Sequence, residues 1–150
     1  MILKPSRFSG GFFCEIKLRN MKEYILRDYF DDLILPKMLY MDIEGSEIRT
    51  SYDVTNIIID RITDGGEYII TKKHLLKLCD DTLVGNLKFN HLTIISFSLI
   101  FSDYFYWISD EVGKVISDWD TQNINFPIST DNLKLWKIYL ETSNYNLPCR

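Results

Sequence analysis

The sequence predicts a mainly α fold: a single compact helical domain, residues 1–150, built around a central apolar helix at about residues 91–108. An α+β arrangement with a short N-terminal strand pair is the alternative. Three observations predict it. After Met21, apolar residues recur at spacings of three and four through most of the chain, the period of one helical face. The most apolar run, Leu92 to Ser102, is eleven residues long, well short of the roughly 20 that span a bilayer, so it reads as a core helix. The chain contains no alanine but twenty isoleucines, nine tyrosines, nine phenylalanines and three tryptophans. Isoleucine is stiff at χ1 and a modest helix former, so these helices must be held by burying a bulky face.

Element by element, Phe12, Cys14, Ile16 and Leu18 alternate with more polar neighbours, a strand period between Gly10-Gly11 and Asn20. From Met21, the spacing of Tyr24, Ile25, Asp28, Tyr29, Asp32 and Leu33 predicts an amphipathic helix that breaks before Pro36. Lys37 to Asp42 continues as a second helical piece, with Gly45-Ser46 as a loop. A helix is expected over about 52–63, capped by Ser51 or Asp53, striped by Val54, Ile57, Ile58, Arg61 and Ile62, and stopped by Asp64-Gly65-Gly66. Thr71 reads as the N-cap of a helix through Leu75, Leu76 and Cys79. That helix ends in Asp80-Asp81, where acids oppose the dipole, which raises the question of what else they serve.

The segment from His91 to Ile108 is apolar on nearly every side and belongs at the centre. Ser109-Asp110-Glu111 then starts a helix with Val112, Val115, Ile116 and Trp119 on one face. Ser129 or Thr130 caps a last helix carrying Leu133, Trp136, Lys137 and Leu140, and a loose tail follows from about 144.

Length and composition fit one globular domain, with hydrophobic residues at 46% and charged residues at 25%. Cys14, Cys79 and Cys149 are odd in number, widely spaced and free of any CxxC pair, so neither a disulfide framework nor a zinc ribbon is indicated. Lys4, Pro5 and Arg7 interrupt any secretory apolar run, which leads us to expect a cytoplasmic protein. His74 and His91 sit on separate segments without a metal or triad spacing and read as surface or capping residues. The cysteines read as structural thiols, and no GxGxxG or Walker loop is present. No catalytic residue, cofactor or metal ligand is therefore assigned.

The distribution of charge is more informative than its total of −4. Residues 41–70 carry seven acids against Arg49 and Arg61, and residues 101–131 carry six against Lys114, while the first forty residues carry seven bases against five acids. Charge runs are usually solvated faces. An acidic face can also steer and dock a basic protein, because complementary potentials raise association rates and repel wrong partners. On that reading the partner-binding candidates are Asp60, Asp64, Glu67, Asp110, Glu111, Asp118 and Asp120.

The stretch Val115-Ile-Ser-Asp-Trp-Asp-Thr-Gln-Asn-Ile-Asn-Phe-Pro-Ile-Ser-Thr-Asp-Asn-Leu-Lys-Leu-Trp-Lys-Ile-Tyr-Leu-Glu141, a loop, a proline and a capped helix, resembles the closing segment of bacterial immunity proteins from contact-dependent growth-inhibition systems. The resemblance implies a small acidic cytosolic protein that neutralises a cognate toxin domain, commonly a basic nuclease, by stoichiometric blocking without turnover. It transfers no binding residue by position; the net charge of −4 separately disfavours a nucleic-acid or membrane partner, since both reward clustered Lys and Arg. Two other classes stay open. A small enzyme would place His74 or His91 in a pocket beside a carboxylate of perturbed pKa. A nucleic-acid-binding regulator or adaptor would join Lys4, Arg7, Lys17, Arg19, Lys22 and Arg27 into a basic stripe.

Overall fold

The computed structural model describes residues 20–49, 55–120 and 126–148, and among these the chain is mainly helical. The expected strand at 12–19 and most of the basic stripe lie outside the described residues, as do Ser51, Asp53, Cys14 and Cys149. In chain order the elements are β1 (Met21–Lys22), α1 (Glu23–Phe30), α2 (Pro36–Ser46), β2 (Glu47–Arg49), β3 (Thr55–Ile57), β4 (Ile59–Asp60), β5 (Tyr68–Ile69), α3 (Lys72–Leu83), α4 (Phe89–Ile100), β6 (Phe105–Tyr106), α5 (Asp110–Asp120) and α6 (Thr130–Thr142). The strands form three separate pairs: β1 with β4 and β5 with β6 run parallel, while β2 with β3 is antiparallel. No helix among the described residues is long and apolar enough to cross a membrane.

Local chemistry explains most of the helices. Pro36 opens α2, where its fixed φ and missing N–H cost nothing. The α1 helix ends in a Schellman arrangement: the Leu33 amide donates to the Asp28 carbonyl and the Asp32 amide to Tyr29, with Asp32 itself left-handed at φ 61°. Gly85, at φ 91°, ends α3 the same way, the Asn86 amide reaching the Asp81 carbonyl. Ser129 caps α6, its hydroxyl accepting from the Asn132 amide at 3.2 Å. The helices pack α4 against α5 and α3 against α6, burying Leu75, Leu78, Leu92, Ile95, Val115, Ile116, Leu133 and Leu140. Each such aliphatic side chain contributes roughly 1.5–3 kcal/mol. Trp119 and Trp136, both fully buried, meet edge-to-face at 6.1 Å.

Four expectations are corrected. The helix at 52–63 is absent over its described part; residues 55–60 form β3 and β4 instead. The run Ile57-Ile58-Ile59 favours a strand, and tertiary bonds fix it: Met21 donates to the Ile58 carbonyl at 2.9 Å, and the buried Glu23 carboxylate receives the Arg61 guanidinium at 2.7 Å and the Ile62 amide at 2.8 Å. The central helix ends at Ile100 rather than 108, because the Ser102 hydroxyl accepts from the amides of Tyr104 and Phe105 and turns the chain into β6. That helix is also open on one side, with Phe97, Ile100 and Phe101 exposed. Gly45-Ser46 belongs to α2 instead of a loop. The tail is tied down over 144–148: Leu147 is buried and Tyr145 is partly so, its hydroxyl bonded to Asp118.

Candidate partner-binding surface

The two acidic stretches of the sequence meet at the β5–β6 pair. Tyr68 stands opposite Phe105 and Ile69 opposite Tyr106. By the period of two along a strand, Tyr68 and Phe105 turn inward onto Phe30, at ring separations of 6.2 and 6.1 Å, while Ile69 and Tyr106 turn outward and are exposed. Ile108, two residues further on, is 76% exposed. Residues 62–71 and 101–113, which hold these strands and their turns, contain five acids and no base. Of these, Asp64, Glu67, Asp103 and Asp110 are exposed. Glu67 lies against Tyr106, whose phenol is raised above its ordinary value by desolvation and by the Glu67 charge and hydrogen bond. Gly65 and Gly66, at φ 83° and 88°, make the turn that presents Asp64 and Glu67, a backbone that other residues adopt only with strain.

The seven acids singled out from the sequence have different fates. Asp64, Glu67 and Asp110 flank the strand pair. Asp60 is exposed on β4 and accepts from the Asn20 side-chain amide at 2.6 Å. Asp120 is half-buried at the opposite end of α5 from Asp110, roughly 15 Å along the axis. Glu111 is engaged internally by Lys72 at 2.5 Å and by the Ser143 hydroxyl, and these bonds hold its carboxyl below the usual range. Asp118 is corrected outright. It is 5% exposed and accepts from Trp136 Nε1 at 3.0 Å and from the Tyr145 hydroxyl at 2.5 Å, so it is a core acceptor with no face toward a partner.

Both histidines cap helices, in the same manner. At the start of α3 the Thr71 amide donates to His74 Nδ1 at 3.0 Å; at the start of α4 the Lys88 amide donates to His91 Nδ1 at 3.2 Å. Each ring accepts at Nδ1, so its proton sits on Nε2. His91 gives that proton to Glu44 at 2.7 Å, and His74 gives it to the Tyr68 hydroxyl at 3.3 Å, which in turn donates to Asp31 at 2.5 Å. Burial tends to raise the Glu44 carboxyl, but the bonds from His91 and Lys88 outweigh it and hold the group below its ordinary value. Cys79 is buried, and desolvation pushes its thiol far up, away from thiolate chemistry.

Beside this surface, between residues 30–36 and the outer face of α3, lies a groove of about 620 Å³ floored by Phe30, Leu35, Pro36 and Leu76. Its acids are bound within the fold: Asp32 by Lys77, Asp80 by Lys137 at 2.7 Å, and Asp81 by the Tyr29 hydroxyl and Asn86. Those bonds answer why α3 carries acids in its last turn: two of them anchor neighbouring elements. His74 lines the groove, but acting as a base would cost it the cap on Thr71.

Sequence reasoning missed Ile69, Tyr106 and Ile108 as exposed apolar positions, and Asp103 as their acidic neighbour. Residues 104–108, Tyr-Phe-Tyr-Trp-Ile, are apolar or aromatic throughout and carry no alternation that marks a strand, so they read as helix. In comparisons with family models, curated proteins and solved structures, nothing matches this chain.

Proposed function

We propose that this protein is an immunity-type inhibitor: it binds a basic protein, such as a nuclease toxin domain, in the cytoplasm and neutralises it stoichiometrically, without turnover. The observation that supports the reading is the juxtaposition at β5–β6 of both acidic stretches around exposed Ile69, Tyr106 and Ile108. An apolar centre with a charged rim is the arrangement in which aromatic and aliphatic anchors supply affinity and surrounding charge supplies rate and selectivity. With a screening length of about 8 Å at physiological salt, four carboxylates on neighbouring turns act on an approaching basic surface together. The engagement of both ring nitrogens of each histidine, Nδ1 in capping and Nε2 toward Tyr68 for His74 and Glu44 for His91, fits a molecule whose histidines serve the fold.

Growth rescue is the test. The toxin domain encoded beside the gene is expressed with the wild-type chain and with a variant carrying Asp64→Lys, Glu67→Lys and Asp103→Lys. Wild type restores growth and co-purifies with the domain, while the variant, folded by circular dichroism, associates at least tenfold more slowly at low salt. An unchanged association rate rejects the acidic face, and absence of rescue by the wild type rejects the inhibitor reading.

A further inference from the structure

The β5–β6 pair leaves one backbone edge unused. The Tyr68 amide donates to the Tyr104 carbonyl at 2.9 Å and the Ile70 amide to the Tyr106 carbonyl at 2.7 Å, so residues 68 and 70 direct their peptide groups at β6. In such a ladder the residue between them turns its N–H and C=O to the other side of its strand. Those two groups of Ile69 take no hydrogen bond among the described residues. Glu67, Ile69 and Thr71, which share that phase, are exposed, as is the run from Thr63 to Gly66 before them. The Thr71 amide is closed by His74 Nδ1 at 3.0 Å, so the open edge ends where α3 begins. Neither lysine nor proline, the residues that commonly blunt an edge, stands in residues 62–71.

We infer that the partner docks by strand addition: an extended segment of it, with arginine or lysine at alternate positions, pairs with the outer edge of β5 through the Ile69 N–H and C=O. Backbone and charge select this occupant together. A donor and an acceptor of one extended residue, pointing the same way, match those of another extended residue; a helix uses its peptide groups internally and offers no such pair. The only charges in residues 62–71, Asp64 and Glu67, are negative. A second copy of this edge would set like charges against each other, whereas a segment with bases at every second position sets them all on one face. Glu67 hydrogen-bonds Tyr106, which places its carboxylate on the outer face with exposed Ile69 and Tyr106. The added strand would set its bases beside that carboxylate and its intervening apolar side chains on the opposite face. On the inhibitor reading, from which the basic character of the partner is taken, the segment belongs to the toxin domain.

NMR titration of the isotope-labelled full chain with a short peptide alternating arginine and valine tests strand addition at the Ile69 amide. The expected result is a saturable shift there, with a dissociation constant of roughly a millimolar and slowed exchange of the amide hydrogen. Two further versions of the peptide, N-methylated at its odd or at its even amides, separate a strand from charge attraction alone, because only alternate amides of a strand face its neighbour. One version binds about tenfold more weakly or worse, while the other binds as the parent does. Neither requires a change in the protein, so folding does not enter the comparison. A peptide with glutamate in place of arginine does not bind. Equal affinity of the two methylated peptides, binding of the glutamate peptide as tight as that of the arginine one, or no shift at Ile69 up to about 5 mM peptide overturns strand addition. Growth rescue is scored separately. Rescue alongside any of those three results leaves an inhibitor that docks in another way, and the expected peptide binding without rescue leaves the edge with a basic partner that is not the neighbouring toxin.

Discussion

Asp118 and Trp136 are joined inside the core, the carboxylate of α5 accepting the indole N–H of α6 at 3.0 Å while the Tyr145 hydroxyl shares the same oxygen. One buried acid thus ties together two helices and the segment after the last one. Removing it leaves the buried indole N–H without its acceptor and takes one acceptor from the partly buried Tyr145 hydroxyl. Asp118→Ala is expected to cost about 3 kcal/mol, and Asp118→Asn, which retains one acceptor, about 1 kcal/mol. Urea unfolding measures both, and partner binding by the folded fraction stays unchanged. A loss under 0.5 kcal/mol for the alanine variant, by the same measure, contradicts the assignment.

Arg61 and Glu23 form a second internal tie, at 2.7 Å, with the carboxylate fully buried and the guanidinium also donating to the Ser98 carbonyl at 3.0 Å. Arg61→Met strands a buried negative charge and is expected to cost roughly 3 kcal/mol. Adding Glu23→Gln should recover part of the loss. The double variant distinguishes a stranded charge from lost packing, since packing loss alone would not be relieved.

Stability should depend on pH through His74. Burial is the largest influence on its imidazole and lowers its pKa, the charges of Lys73 and Lys77 adding to this against the opposing pull of Asp31 and Asp32. A lowered folded-state pKa means the unfolded chain takes up the proton first. The cap's contribution is therefore complete above the unfolded value of about 6.5 and declines as pH falls through the window between that value and the folded one. Urea midpoints at pH 8 and pH 5 should differ less for His74→Gln, which keeps an acceptor at the third helical position but does not titrate. Equal slopes for the two proteins would show that the ring's protonation is not coupled to folding.

Gly113 sets two effects against each other. A methyl group there gains roughly 1 kcal/mol of helix propensity in α5, but its carbon would stand 2.8 Å from Trp107 Nε1. Trp107 is partly buried against the core, and its rigid ring must swing out. Gly113→Ala is expected to be net destabilising by about 1 kcal/mol, with a red shift in tryptophan emission reporting the displaced indole. Stabilisation with unchanged emission would mean that the ring accommodates the methyl group freely.

Much of the helical framework was legible because its signals are local. Thr71 and Ser129 mark helix starts, and the spacing of Val112, Val115, Ile116 and Trp119 identifies a buried face. The candidate surface was legible only as charge: the two acidic stretches were visible, but their meeting at Tyr68–Phe105 joins residues 37 positions apart through a two-residue strand pair. Neither strand is long enough to show an alternation of its own.

By itself, then, the sequence determined a mainly helical chain whose alanine-free helices are held by bulky buried faces, and an uneven distribution of charge. Tertiary structure alone decided that Ile57 to Asp60 extend rather than coil, that Asp118 is a core acceptor instead of a surface acid, and that α4 keeps one apolar side open. The physical reason is common to all three. Periodicity reports which residues can share a face, whereas burial and pairing depend on what another part of the chain brings opposite: Met21 and Glu23 beside the isoleucines, Trp136 and Tyr145 over Asp118, and, among the described residues, nothing over Phe97 and Phe101.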